Sequence, residues 1–125
     1  MLTSQVLLSA GDMPDLAPAI YRQRLVIEGI CPQAITDQAI RLYLSDLSDI
    51  CSMRRLIEPV THRSAKFGWA GWVHWEESGA HFYAWEKPLF FFSVDIYTCK
   101  NFNPQKALAF TSVFFETDRV VGKEF

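Results

Sequence analysis

Long apolar runs are missing from this sequence. No stretch of its 125 residues approaches the roughly 20 consecutive apolar positions that cross a bilayer, so no transmembrane helix is expected. The apolar patch Val6-Leu7-Leu8 has no positive charge ahead of it, and no secretory signal is expected either. Cysteine is scarce: Cys31, Cys51 and Cys99 are odd in number, far apart and without a CxxC pair. That suggests neither a disulfide framework nor a zinc site, and points to a reducing, cytoplasmic setting. A basic surface is lacking as well. Lys and Arg total 12 against 14 Asp and Glu, for a net charge of -2, and the cations are scattered, so nucleic acid is not an expected partner. Small-molecule chemistry or protein binding remains.

What is present is enough apolar material for one core. Hydrophobic residues make up 50% of the chain, which at this length suits one domain and not two. Residues 1–19 hold Gly11, Asp12, Pro14 and Pro18 with little periodicity and read as an N-terminal arm; residues 20–125 read as the domain. A first strand is expected over Arg22–Gly29, ending before Pro32. Thr36 is placed to cap a helix, with Asp37 in its first turn and Ile40, Tyr43, Leu44, Leu47, Ile50 and Cys51 recurring at helical spacing through Met53. Arg55–His62 reads as a strand that Pro59 confines to an edge or a bulge. Trp69–Glu77, Ala80–Trp85 and Leu89–Cys99 read as further strands. Along the first of these, Trp69, Gly71, Val73 and Trp75 share one face and Ala70, Trp72, His74 and Glu76 the other. Asn103-Pro104 opens a second helix, a capping residue followed by Pro at the first helical position. Two helices among antiparallel strands give an α+β sandwich, an antiparallel sheet covered by two helices.

Taken residue by residue, the chemistry is sparse. Ser78 followed by Gly79 reads as a turn between strands, and no GxSxG elbow surrounds it, which leaves a Ser-His-Asp hydrolase unsupported. His74 and Glu76 share a strand face and His81 lies on the next strand, but this spacing is too common to argue for a metal, and none is expected. Cys99 ends a strand and reads either as a small buried hydrophobe or as a thiol that exchanges a proton beside a cleft. The aromatic cluster Trp69, Trp72, Trp75, Phe82, Trp85, Phe90, Phe91 and Phe92 reads as core, as a surface on which a planar ligand stacks, or as a subunit interface, which makes a homodimer the expected assembly.

The order of several short pieces nevertheless resembles one family. RLVIEGIC (24–31), THR (61–63), GWAGWVHWEES (68–78), Trp85, VDIYTC (94–99) and NPQKAL (103–108) follow each other as in the bacterial-type S-adenosylmethionine decarboxylases. The resemblance spans roughly Arg24 to Phe114. It implies a pyruvoyl-dependent enzyme of polyamine biosynthesis that makes the aminopropyl donor for spermidine from a small amino-acid-type substrate. It implies self-cleavage between Glu77 and Ser78, with Ser78 becoming the pyruvoyl group and Cys99 returning a proton to the substrate. Trp72, Trp85 and position 64 are implied as substrate contacts.

The chain also departs from the family's pattern. Tyr83 stands where the family has a processing His, Ala70 where it has a Ser, Gly79 where a His follows the cleavage Ser, and Ser64 where an aromatic is expected; one extra residue lies between Trp85 and Val94. His81 and Tyr83 fall on the same strand face, so His81 is the candidate to stand in as a base, about 7 Å from the usual position. Two functions follow. One is a pyruvoyl-dependent decarboxylase acting on S-adenosylmethionine or another amino acid, with Ser78, Cys99, His81 and Tyr83 as its catalytic and processing groups. The other is an unprocessed homologue that binds a ligand or regulates a partner.

Overall fold

Tyr21 and Arg22 lead the chain into a strand whose alternate side chains face a core. The structure, a computed structural model, describes Leu8 and residues 10–125; Val6 and Leu7 of the apolar patch lie outside the described residues. Strand β1 runs Gln23–Ile30 and turns Gln23, Leu25, Ile27 and Gly29 inward. Helix α1, Asp37–Ile50, starts where Thr36 Oγ1 accepts a hydrogen bond from the Ala39 N–H at 3.2 Å. Its buried stripe is Ile40, Tyr43, Leu44, Leu47 and Ser48, the three-and-four spacing that one helix face provides. Strands β2 (Val60–Ser64), β3 (Gly68–Trp75), β4 (Ser78–Trp85) and β5 (Phe91–Thr98) follow. Helix α2, Pro104–Phe115, is capped by Asn103, whose Oδ1 accepts from the Lys106 N–H at 3.1 Å, and strand β6, Arg119–Glu124, comes after it.

The six strands form one sheet in the order β2-β3-β4-β5-β1-β6, with every neighbouring pair antiparallel. Helix α1 carries the chain from β1 across the sheet to its far edge at β2. Both helices lie on one face, giving the α+β sandwich that the residue pattern suggests. Tyr43 is the centre of the packing: its ring centroid lies 5.4 Å from that of Phe82, 5.5 Å from Phe110, 5.4 Å from Phe114 and 4.8 Å from Phe115. Burying aromatic side chains of this size contributes on the order of 2–3 kcal/mol each. The polar atoms that enter the core are all partnered. Tyr43 Oη and Thr111 Oγ1 share a hydrogen bond of 2.7 Å, and Trp75 Nε1 donates to Ser48 Oγ at 2.8 Å. Gln23 spans to the loop before α2 through paired 3.0 Å bonds with the Phe102 carbonyl and N–H.

Two elements differ from the sequence expectation. The strand expected from Arg55 begins only at Val60, because Pro59 cannot donate to a ladder; Arg55 makes a single bridge to Trp75. Strand β6 is not anticipated at all. It is short, interrupted by Gly122 and mostly exposed, and it owes its conformation to pairing with β1 rather than to its own pattern. Described residues 10–20 of the arm carry no helix or strand. Arg22 ties them back, with Nη2 on Asp15 Oδ1 at 2.6 Å and Nη1 on the Ala17 and Ile20 carbonyls at 2.5 and 2.7 Å.

Gly71 marks where α1 crosses closest to the sheet. A Cβ there would lie 2.7 Å from Ile40 Cγ2 and 3.0 Å from the Val60 carbonyl. Gly71→Ala is therefore expected to destabilise the fold by about 1–3 kcal/mol, read as a lower midpoint in thermal denaturation; an unchanged midpoint would show that α1 can back away freely.

Candidate active site

Helices cover one face of the sheet, and strand alternation sends the other half of the side chains to the open face. Trp72 and His74 of β3, His81, Tyr83 and Trp85 of β4, Ser93, Asp95 and Tyr97 of β5 and Arg24 of β1 lie there, none of them buried. The cross-strand register places His62, Ala70, Tyr83 and Ser93 in one row and Trp72, His81 and Asp95 in the next.

The β3–β4 hairpin closes with Trp75 opposite Ser78, so Glu76 and Glu77 form the turn and Ser78 opens β4. The turn thus lies two positions earlier than the Ser78-Gly79 turn expected from composition. Gly79 is instead part of the ladder, in a tight approach: a Cβ on it would fall 2.5 Å from the Val73 carbonyl. Two neighbouring segments, residues 54–56 and Cys99, hold the turn. Glu76 N–H donates to the Arg54 carbonyl at 2.9 Å and Arg54 N–H to Glu77 Oε1 at 3.1 Å. Leu56 N–H reaches the His74 carbonyl at 2.9 Å, and Cys99 N–H donates to the Glu77 carbonyl at 2.9 Å. Ser78 itself has φ +140°, a region that residues with a Cβ rarely adopt and that costs on the order of 1–3 kcal/mol.

Ser78 and Gly79 open onto a groove of about 460 Å³ whose other walls include Trp72, His74, His81, Asp95, Tyr97 and Arg24. His81 stacks between Trp72, at 6.3 Å, and Tyr83, at 6.2 Å. Arg24 and Asp95 form a two-pronged pair, Nε to Oδ1 at 3.0 Å and Nη2 to Oδ2 at 2.8 Å. The hydrogen bonds that the guanidinium donates to Asp95 raise its pKa above the ordinary value, so Arg24 is a fixed cation there. Phe125 supports it from 4.9 Å. Being half-exposed, the pair fixes geometry more than it adds stability.

A second cavity, of about 340 Å³, lies farther along the same face. His62, Ser64, Trp69, Ala70, Tyr83 and Trp85 line it, and an Arg63–Glu86 pair at 3.2 and 3.3 Å stands at its rim. The residues singled out from the sequence therefore divide. Glu77, Ser78, Cys99, Trp72 and His81 gather at the hairpin end, whereas Ser64, Tyr83 and Trp85 line the second cavity. Five strand residues separate Ser78 from Tyr83, about 17 Å of extended chain. Arg24, Asp95 and Tyr97 lie within RLVIEGIC and VDIYTC, but nothing in those pieces assigns them to a site. The only sign of the pair is a charged residue at an alternating strand position in each of β1 and β5, two strands far apart in sequence. Among the described residues, no group of three or more His, Cys, Asp or Glu side chains is arranged to hold a metal ion.

Comparison with known proteins gives this geometry a family. The family model described as S-adenosylmethionine decarboxylase matches residues 25–125. Among solved structures, the adenosylmethionine decarboxylase from Aquifex aeolicus VF5 superposes with a TM-score of 0.68 at 14% identity, covering 85% of this chain and 89% of that one; at that identity the likeness concerns the fold. No curated protein matches the chain.

Two outcomes follow from the local geometry. Because glycine adopts positive φ without penalty, Ser78→Gly is expected to be more stable than Ser78→Ala by about 1 kcal/mol, measured as a higher urea midpoint; equal midpoints would remove the strain at this residue. Cys99 is exposed, while burial pushes the Cys31 and Cys51 thiols up to about 11 and about 12. Native alkylation at mildly alkaline pH should therefore modify Cys99 alone, with all three cysteines reacting after denaturation, as read by intact mass.

Proposed function

Starting from a chain that belongs to the S-adenosylmethionine decarboxylase family, we propose that it is a self-processing, pyruvoyl-dependent decarboxylase cleaved between Glu77 and Ser78. The substrate in this reading is S-adenosylmethionine or a related amino acid, and the product is the aminopropyl donor for spermidine, made in the cytoplasm. No helix among the described residues is long and apolar enough to cross a membrane.

The observation that carries the reading is the 2.9 Å hydrogen bond from the Cys99 N–H to the Glu77 carbonyl. Self-cleavage begins with attack of Ser78 Oγ on that carbonyl carbon, and negative charge then develops on the oxygen that Cys99 already faces. A fixed backbone donor at such a position is worth roughly 10²–10³ in rate. The strained φ of Ser78 works in the same direction, because severing the peptide releases it. The carbon–nitrogen bond breaks as the nitrogen takes up a proton, leaving an ester. Loss of the Ser78 Cα proton then expels Glu77 as a free carboxylate, and water replaces ammonia on the resulting dehydroalanine to leave the pyruvoyl group. The two pieces stay together, since β3 and β4 remain paired from Ala70–Tyr83 through Trp75–Ser78.

The residues present fit that group. Ser78 is half-buried at the end of the groove, and Gly79 beside it has no room for a side chain. The pyruvoyl ketone supplies an electron sink for the loss of carbon dioxide. The protein supplies the rest. Trp72 and His81 form a stacked floor on which a planar ring of the substrate can lie. Arg24, with Asp95, sets a fixed charge at the groove's far side, and the exposed Cys99 thiol donates the proton that replaces the lost carboxyl.

A homodimer belongs to the same reading. Ser64 on β2 and Tyr83 and Trp85 on β4 line the second cavity and lie too far from Ser78 to meet it within one chain. A second copy laid face to face would bring its own second cavity over Ser78. It would also cover Tyr83 and Tyr97, which are 43% and 47% exposed, an aromatic surface of the kind that interfaces bury.

A second reading has its own observation. Ala70 and Tyr83 are direct cross-strand partners, so the two departures from the family's processing pair fall on a single rung. In that reading the chain stays whole and serves as a ligand-binding or regulatory homologue.

Purified protein resolves the two. Cleavage would give pieces 1–77 and 78–125 by intact mass, the latter blocked at its N-terminus and reactive toward carbonyl reagents. Ser78→Ala is expected to stay whole. Cys99→Ala should still cleave, because the donor to Glu77 is its backbone N–H, while decarboxylation falls by roughly 10²-fold or more. A wild-type chain that remains whole after long incubation would sink the enzyme reading and leave the second.

A further inference from the structure

An imidazole on the opposite strand lines the same groove as Ser78. His74 pairs directly with Gly79, and opposed residues in an antiparallel ladder have Cα atoms about 4.5–5.5 Å apart, so His74 is a diagonal neighbour of Ser78. Gly79, the direct partner of His74, places no side chain over it and cannot carry one, since a Cβ would lie 2.5 Å from the Val73 carbonyl, and the φ of +140° at Ser78 takes that residue out of regular strand geometry. The His74 backbone is held by the Leu56 N–H on its carbonyl at 2.9 Å, while its side chain is exposed.

The other proton acceptors nearby are engaged or distant. Glu77 Oε1 accepts from the Arg54 N–H, Glu76 pairs with the Arg54 guanidinium at 3.6 Å, and both Asp95 oxygens are taken by Arg24. His81 lies three residues along β4 from Ser78, about 10 Å of strand, with Trp72 and Tyr83 on either side of its ring. His62 lines the second cavity.

Resting on the cleavage reading above, we propose that His74 is the base that activates Ser78. Its neutral imidazole takes the Ser78 Oγ proton as oxygen bonds to the Glu77 carbonyl carbon. It then delivers that proton to the Ser78 nitrogen as the carbon–nitrogen bond breaks, and is restored without any further reactant. An imidazole nitrogen can both accept a proton and hand it on, which suits it to both halves of this transfer.

The test follows cleavage of the full chain, refolded from denaturant, on a denaturing gel. His74→Ala is expected to slow cleavage by roughly 10²-fold or more, with an unchanged melting temperature because the side chain is exposed. Free imidazole in the buffer should restore much of the rate to His74→Ala and none to Ser78→Ala. Wild-type-like cleavage in His74→Ala, or a loss that imidazole does not relieve, would overturn the role of His74 while leaving the cleavage reading intact. A wild-type chain that never cleaves would overturn both.

Discussion

Tyr43 sits where both helices meet the sheet. Its ring packs against Phe82 from the sheet and against Phe110, Phe114 and Phe115 from α2, and its hydroxyl closes on Thr111. Burial keeps the phenol protonated, far above its ordinary pKa, and the bond to Thr111 offsets only part of that rise. With α1 and α2 joined through this one residue, the sheet is covered on a single face. Everything on the other face follows from that asymmetry. Each strand must send alternate residues outward, and outward here means an uncovered surface carrying Trp72, His74, His81, Tyr83, Trp85, Asp95, Tyr97 and Arg24. The open face is the necessary complement of the core.

Legibility in the sequence tracks how local the cause is. Thr36 and Asn103 announce their helices because a capping side chain and the N–H it accepts are neighbours in the chain. The alternation in WAGWVHW assigns the faces of β3 for the same reason. Strand β6 has no local signal, since Arg119–Glu124 becomes a strand only when β1 offers it an edge. The turn of the β3–β4 hairpin moves from Ser78-Gly79 to Glu76-Glu77 because Arg54, Leu56 and Cys99 hold it from elsewhere in the chain. Arg24 and Asp95 are 71 residues apart, and the pieces that contain them give no sign of their pairing. Among the site residues, Glu77, Ser78 and Cys99 could be named from an ordered resemblance, but their mutual hydrogen bond could not.

The hairpin end shows how a stable fold can hold a strained residue. Strain at Ser78 alone would relax by a small rotation of the turn. Here the rotation is blocked on three sides: Glu76 and Glu77 are both tied to Arg54, the Glu77 carbonyl is fixed by Cys99, and Gly79 is pressed against Val73. The cost of holding Ser78 at φ +140° is spread over a ladder that would exist anyway. Arg54 belongs to the connection after α1, so the packing of that helix around Tyr43 also sets the position of the clasp.

This arrangement bears on what the departures at positions 70 and 83 mean. Ala70 and Tyr83 face each other across one rung, with His62 on the far side of Ala70. Exchanging a polar pair for a small residue and a large ring at a single rung is a local repacking that leaves the hairpin end untouched. Within one chain, that rung is about 17 Å from Ser78, too far to act on it directly. Its only route to the bond is across a face-to-face pair of chains. The same two substitutions therefore weigh differently in the two assemblies. In a lone chain they reshape a second cavity and nothing more, whereas in the face-to-face dimer proposed above they would reshape the wall over Ser78. The assembly, more than the identity of either side chain, decides whether the rung speaks for or against cleavage.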